Sequence, residues 1–294
     1  MIGLVVNPAA GHGRALAAAR RAEARFAERG TEVRELVGTS AGESRDLAAQ
    51  AVADGVDSLV VVGGDGMVHT VLPALLGSGI PLGVIPAGTG NDQARQYGWP
   101  RRSPERAADL VLDGRRRTVD VGLVVTADGR TSHFGSVLAA GFDSLVSDRT
   151  NRMRWPHGRA RYNLAMLAEF AHLRPLPFVL TFADGTVIER DLLLAAVGNT
   201  QSYGGGMRIA PGADSSDGLL DVTVVAAAPR RTVLARLPSV YRGTHVRNPE
   251  VEVRRTTSVR LESPGINAYA DGEYLGPLPA EVSVLPGALQ IITS

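Results

Sequence analysis

The sequence predicts an α/β half on a doubly wound parallel sheet over residues 1–117, followed by a β-sandwich-like half over residues 118–294, with the ligand site in the cleft between them. Three observations carry this reading. Apolar runs alternate with amphipathic segments across short loops as far as Gly114. Beyond Arg115 the pattern changes to many short strands separated by Gly and Pro turns. Three of the early apolar runs end in glycine-rich turns that open into helices. Open α/β sheets gather ligands at such turns, outside the carboxyl ends of their strands.

In the first half, strands are predicted over Ile2–Val6, 32–37, 58–62 and 82–85. Helices are expected over Arg14–Glu28, 43–53, 67–76 and 104–112, the last with Ser103 as its N-cap. In the second half, strands are predicted over 118–126, 131–139, 178–182, 187–197, 219–225, 251–254, Ser258–Glu262, 266–270, 281–285 and 288–292. Asp128-Gly129 and Asp184-Gly185 read as hairpin turns. Helices interrupt this series only at 159–172 and 232–241.

Composition narrows the function. A formal charge of +1 gives no global basic field, so nucleic acid is not an expected partner. The absence of cysteine excludes a disulfide framework and thiolate chemistry, and fits the cytoplasm. The opening Met-Ile-Gly-Leu-Val-Val runs straight into a strand, without the basic region and cleavage site of an export signal. No apolar run has the length to span a bilayer. All 31 basic residues are arginine. A P-loop and a protein-kinase site each require a lysine on the phosphates, so both classes are excluded, as is Schiff-base chemistry. A homodimer is left open.

The turns carry the chemistry. Leu59-Val60-Val61-Val62 leads into Gly63-Gly64-Asp65-Gly66 and then a helix. Glycines let backbone N–H groups approach phosphate oxygens, and the helix start adds free donors and a favourable dipole. An aspartate beside phosphates would repel them unless a cation lay between, so Asp65 implies Mg²⁺ with a nucleotide. Ala87-Gly88-Thr89-Gly90-Asn91-Asp92 repeats the pattern after the next strand. Asn7-Pro8-Ala9-Ala10-Gly11-His12-Gly13 repeats it after the first.

These motifs resemble the diacylglycerol kinase catalytic family, which includes sphingosine and ceramide kinases and bacterial lipid kinases. The match continues through Tyr203-Gly204-Gly205-Gly206-Met207-Arg208-Ile209-Ala210-Pro211, Asp217-Gly218-Leu219-Leu220-Asp221-Val222 and Asp271-Gly272-Glu273. Motifs in this order across nearly the whole chain are far more specific than any one alone. The resemblance implies ATP as co-substrate, Mg²⁺, and a lipid substrate met at the membrane surface by a peripherally associating cytoplasmic protein. Diacylglycerol, giving phosphatidic acid, is the leading acceptor.

The resemblance also distributes roles. Asn7, Pro8, Gly11, Gly63, Gly64, Asp65, Gly66, Thr89 and Asn91 correspond to nucleotide-binding positions, with Thr39 a weaker addition that is otherwise a turn or cap residue. Asp92 and Asp120 match further carboxylates around the metal; Arg95, three residues after Asp92, is expected on the same helical face as a candidate phosphate ligand. Asp214, Asp217 and the Leu219 carbonyl resemble a structural Mg²⁺ loop, with Ser216 where a second acid often stands. The general base is Asp271 or Glu273, and the sequence does not choose between them. The six histidines lack ligand spacing and read as structural or solvated, with His12 near the phosphates.

One departure stands out. The family usually continues the turn as GGDGT and then, after one residue, Asn-Glu. Here Met67, Val68, His69 and Thr70 follow. A lost capping hydroxyl is worth about 1 kcal/mol. Three alternatives stay open: an NAD kinase-like enzyme, a weakened or non-catalytic nucleotide-binding protein, and a phosphotransferase acting on a soluble alcohol.

Overall fold

The computed structural model describes residues 1–8, 13–153, 155 and 159–294. The first half is β1 (Ile2–Val6), α1 (Arg14–Glu28), β2 (Val33–Val37), α2 (Ala41–Ala53), β3 (Ser58–Gly63), α3 (Asp65–Leu75), β4 (Leu82–Pro86), α4 (Asp92–Gln96) and α5 (Pro104–Asp113). Its strands run parallel in the order β4-β3-β1-β2. Successive side chains of a strand point to opposite faces, so a sheet covered on both sides needs continuous apolar strands. Ile2, Leu4, Val6, Val60 and Val62 pack against the alanines and Phe26 of α1 and against α5. Val5, Leu59 and Val61 face α2 and α3 on the other side. The sheet is therefore doubly wound, as the βα alternation predicts.

The second half is β5 (Arg115–Thr126), β6 (Thr131–Phe134), β7 (Val137–Gly141), α6 (Phe142–Arg152), α7 (Arg159–Ala171), β8 (Leu176–Phe182), β9 (Val187–Gly198), β10 (Leu220–Ala226), α8 (Arg230–Arg242), β11 (Val251–Thr256), β12 (Ser258–Glu262), β13 (Asn267–Ala270), β14 (Glu273–Pro277) and β15 (Ala280–Thr293). Its neighbouring strands pair antiparallel around a core that includes Phe134, Leu138, Phe178, Leu180 and Leu261. Each such fully buried side chain contributes about 1.5–3 kcal/mol through removal of apolar surface from water. Asp128-Gly129 joins β5 to β6, and Asp184-Gly185 joins β8 to β9, both antiparallel pairs.

Two long strands tie the halves together. β15 pairs antiparallel with β5 from Ala280–Thr126 to Thr293–Arg115, and meets β4 in parallel at Ile291–Leu82. Val119, Val121, Leu289 and Ile291 belong to the same core as α3. β5 begins at Arg115, so the step from residue 117 to 118 falls inside a strand.

Five elements differ from the sequence expectation. The stretch 131–139 divides at Gly135-Ser136 into β6, which pairs with β5, and β7, which pairs with β9. The stretches 281–285 and 288–292 form one strand, with a register shift between Leu285 and Leu289. Glu273–Pro277 is a strand of its own, paired with β13. α4 is a five-residue helix that the glycine-rich context conceals. α6 is unexpected because only Ser144 and Val146 of its residues are buried, which leaves little apolar periodicity to read. Among the described residues, no helix is long and apolar enough to cross a membrane.

Candidate active site

The β3–α3 and β4–α4 turns lie against each other. A β-carbon on Gly88 would stand 2.5 Å from Gly64 Cα and 2.7 Å from Asn91 Oδ1. Gly64, in extended conformation, is the N-cap residue of α3. Asn91 precedes α4 with φ 53°, and its side-chain amide donates to the Gly88 carbonyl at 2.9 Å. Asn91 therefore does not cap α4 with its side chain. Asp65 supplies that function from the neighbouring turn: its Oδ1 accepts from the Gln93 amide at 3.0 Å and its Oδ2 from the Asp92 amide at 3.1 Å.

Negative charge accumulates here. A β-carbon on Gly90 would lie 3.1 Å from Asp65 Oδ2 and 3.3 Å from Asp92 Oδ2, so two carboxylates converge on one glycine. Burial pushes the Asp65 carboxyl above the ordinary aspartate range; the two amides oppose this, and the charges of Asp92 and Asp271 add to it. Asp92 is buried. Its Oδ1 accepts from Arg95 at 2.6 Å and Ser202 Oγ at 3.2 Å, and its Oδ2 from the Gly205 amide at 2.7 Å. Asp92 thus pins the Gly204–Gly206 loop of the second half to the nucleotide-type turn, and Arg95 sits beside Gly206.

The turn at 271–273 closes over the same place. Asp271 adopts φ 55°, and its side chain is fully buried. Its carboxylate accepts from the amides of Gly135 at 2.9 Å and Ser136 at 3.0 Å, and from the Ser136 hydroxyl. His69 Nδ1, one turn beyond Asp65 on α3, approaches Asp271 Oδ2 at 3.4 Å. Glu273 is exposed, and a β-carbon on Gly66 would lie 3.4 Å from its Oε1. The acidic turn therefore rests on the first two turns of α3. Burial would push the His69 imidazole down, but Asp271 and then Glu273 outweigh it and hold the ring above the ordinary histidine range.

The other expected site residues are placed differently. Asn7 and Pro8 follow β1 at the carboxyl edge of the sheet. Gly11 and His12 lie outside the described residues. Thr89 is exposed between Gly88 and Gly90. Thr39 donates from its amide and its hydroxyl to Glu43 Oε2, both at 2.7 Å, while Ser40 Oγ accepts from the Glu43 amide at 3.1 Å. That is a capping arrangement for α2.

Asp120, Asp214, Asp217 and Leu219 form a separate group. Asp120 is buried; its Oδ2 accepts from the Gly218 amide and its Oδ1 from the Gly287 amide, both at 2.8 Å. It fastens the 214–219 loop and the β15 irregularity to β5. Asp214 Oδ1 faces Arg117 at 3.1 Å and the Ser216 amide at 3.1 Å. Asp217 accepts from the Leu219 amide at 3.0 Å and from Arg255. Nearby Asp221 Oδ2 is buried without a hydrogen-bond partner, with Arg255 at 3.7 Å. Among the described residues, no three or more His, Asp or Glu side chains are grouped to hold a metal by themselves.

The donor chemistry still suits a hard cation in both places. At the turns, the Asp65 and Asp92 carboxylates crowd the space beside Gly90, and both Asp65 oxygens and Asp92 Oδ2 accept one hydrogen bond each, which leaves each a lone pair for a cation. In the loop, the Asp221 oxygen lacks a hydrogen-bond partner among the described residues and feels the charge of Asp217, with the Arg255 guanidinium 3.7 Å away in the place a cation would take.

Two glycine–carboxylate turns of an α/β half, faced by an acidic turn from a β-rich half, define a two-part kinase architecture. Comparison with known proteins fixes the family. Residues 1–124 match the diacylglycerol kinase catalytic domain, and residues 135–293 match the YegS C-terminal NAD kinase beta sandwich-like domain. The chain belongs to the diacylglycerol kinase catalytic-domain family of lipid kinases. A diacylglycerol kinase of Mycobacterium tuberculosis (strain ATCC 25618 / H37Rv) is 52% identical over 98% of this chain and 93% of its own length. A diacylglycerol kinase of Bacillus subtilis (strain 168) is 29% identical over 87% of this chain and 84% of its own. A crystal structure of a diacylglycerol kinase from Bacillus anthracis str. Sterne superposes with TM-score 0.79 at 25% identity, covering 100% of this chain and 96% of that one.

Proposed function

We propose that the protein transfers the γ-phosphate of ATP, with Mg²⁺, to the hydroxyl of diacylglycerol at a membrane surface, giving phosphatidic acid. The observation that carries this reading is the seating of the 271–273 turn on the start of α3, which brings a proton acceptor to the turn that would hold phosphates. Asn7, Gly63, Gly64, Gly66 and Thr89 would receive the nucleotide phosphates, and Arg95 would add a fixed positive charge. Asp65 and Asp92 would hold Mg²⁺ through water beside the phosphates. Bound there, the ion neutralises charge on the phosphoryl oxygens. Asp214, Asp217 and the Leu219 carbonyl would hold a second, structural Mg²⁺ in exchange for their present contacts.

The chain's own residues account for the proton. The lipid oxygen forms its bond to the γ-phosphorus as the bond from that phosphorus to the β-phosphate oxygen breaks and ADP leaves. The hydroxyl proton passes to the carboxylates of the Asp271–Glu273 turn. The second half encloses the Asp271 carboxylate, while Glu273 stays open to the acceptor.

Contact with a bilayer is supported by side chains on two helices. α7 exposes Tyr162, Leu164 and Leu167; α8 buries no residue and exposes Leu234, Leu237 and Tyr241. Arg230, Arg231, Arg236 and Arg242 on α8 suit anionic headgroups. The test is ADP release measured separately with diacylglycerol micelles, sphingoid bases and NAD. Turnover with diacylglycerol is expected; turnover with NAD alone would replace this reading with an NAD kinase. Leu167→Glu and Leu234→Glu should each reduce sedimentation with anionic vesicles.

A further inference from the structure

His69 stands where the family pattern has asparagine, and its ring is not idle. It projects from α3 one turn after Asp65, with Nδ1 buried and aimed at Asp271 Oδ2 at 3.4 Å. Among the described residues, that nitrogen makes no hydrogen bond of ordinary length. The ring is 17% exposed, and its partner carboxylate is fully enclosed. Among the described residues, Asp271 otherwise accepts hydrogen bonds only from the second half, from Gly135 and Ser136. The His69 contact is thus the polar tie that links this carboxylate directly to the helix beginning at the nucleotide turn.

We propose that His69 is a positioning residue for the phosphoryl transfer: through Asp271 it holds the 271–273 turn in register with the start of α3. The proposal rests on the lipid-kinase reading for its effect on rate, though not for the existence of the pair. Several charged groups face the ring. Asp271 and Glu273 approach from the β13–β14 turn, Arg45 from α2 and His133 from β6, while Asp65 lies on its own helix. The two carboxylates favour a protonated ring; Arg45 and burial oppose it. The net balance keeps His69 above the ordinary histidine value, the direction expected of an ion pair and not of a buried, unpartnered ring. Glycine turns grip the nucleotide independently of this contact, so the tie should affect the transfer step and leave ATP affinity alone.

The test uses the full chain without nucleotide, followed by NMR of its histidine rings, with the His69 signal assigned by its loss in His69→Asn. The expected midpoint for His69 lies above the ordinary value of 6.5. In Asp271→Asn it should fall below that value, because burial remains while the carboxylate charge is gone. Kinetically, His69→Ala should lower kcat with diacylglycerol by about 10–100-fold with the ATP KM unchanged. His69→Asn keeps a side-chain N–H donor and should recover most of that loss. A wild-type midpoint at or below 6.5, or a His69→Ala variant with wild-type kcat, would overturn the proposal. If the wild-type protein phosphorylates no lipid, the lipid-kinase reading fails, while the titration still decides whether the pair exists.

Discussion

Gly64 and Gly88 touch backbone to backbone, and this contact brings the two phosphate-type turns into one surface. The distance leaves no room for a side chain on Gly88, whose β-carbon would lie 2.5 Å from Gly64 Cα, and crowds one on Gly64, whose β-carbon would lie 3.0 Å from Gly88 Cα. The close approach puts Asp65 within reach of the α4 amides, which in turn places Asp92 against the Gly204–Gly206 loop. One sterically required pair of glycines thus organises contacts between both halves.

Gly88→Ala should therefore disturb packing and nucleotide binding together. The added carbon meets backbone on one side and the Asn91 amide on the other, and overpacking of this kind costs about 1–3 kcal/mol. Urea denaturation should show a lower midpoint, and ATP binding should weaken in the same variant. An alanine that leaves both unchanged would mean the turns separate readily.

Asp65→Asn separates charge from structure. Asparagine keeps one carbonyl oxygen where aspartate offers two, so one of the Asp92 and Gln93 amides loses its acceptor. The stability cost should be about 1 kcal/mol. Turnover should fall about 10²–10³-fold, because charge placed beside the transferring group is lost. Single-turnover phosphorylation compared with the urea midpoint checks both numbers. Near-wild-type turnover would remove Asp65 from the phosphate site.

The 214–219 loop can be tested without substrate. A ligand that binds only the folded protein raises its melting temperature. Mg²⁺ should do so for the wild type in the absence of nucleotide, and Asp217→Ala should abolish the response. Arg255→Gln is a useful companion, since it removes the guanidinium now paired with Asp217 and should strengthen the Mg²⁺ response. An identical melting response in wild type and Asp217→Ala would leave this loop as a turn held by arginines.

The parts of the fold legible in the sequence are those in which one residue type has one physical use. The runs at Leu4-Val5-Val6 and Leu59-Val60-Val61-Val62 are apolar throughout because both faces of the sheet are covered. The glycines at 64 and 88 announce turns because their backbones approach too closely for a side chain on Gly88 and crowd one on Gly64. Other features depend on contacts between residues distant in the chain. Asp92 reads as a metal-network acid, but its hydrogen-bond donors Ser202 and Gly205 come from the second half. His69 has no ligand spacing, and its partner Asp271 is brought to it only by the β13–β14 turn. Thr39 is ambiguous because a hydroxyl after a strand suits either a phosphate or a cap, and Glu43 decides its present contacts.

The acidic turn makes the sharpest distinction between two neighbouring carboxylates. Asp271 is enclosed and accepts from two amides and a hydroxyl; Glu273 is exposed beside Gly66. Asp271→Asn places an amide nitrogen among donors, leaving at least one of them unsatisfied, so stability should drop by about 1–3 kcal/mol. The same change should lower kcat by about 10²–10⁴-fold, the range for loss of a positioned acid–base group. Glu273→Gln should leave stability within about 0.5 kcal/mol of wild type, as expected of an exposed side chain. Its kcat should fall by less than that of Asp271→Asn, since no hydrogen bond among the described residues fixes its position. ATP affinity should survive both changes because neither carboxylate belongs to the glycine turns. Equilibrium ATP binding, single-turnover transfer to diacylglycerol and urea unfolding, measured on each variant, separate these effects. Wild-type transfer rates in both variants would show that the turn only braces α3, and would make Asp65 the next proton acceptor to test.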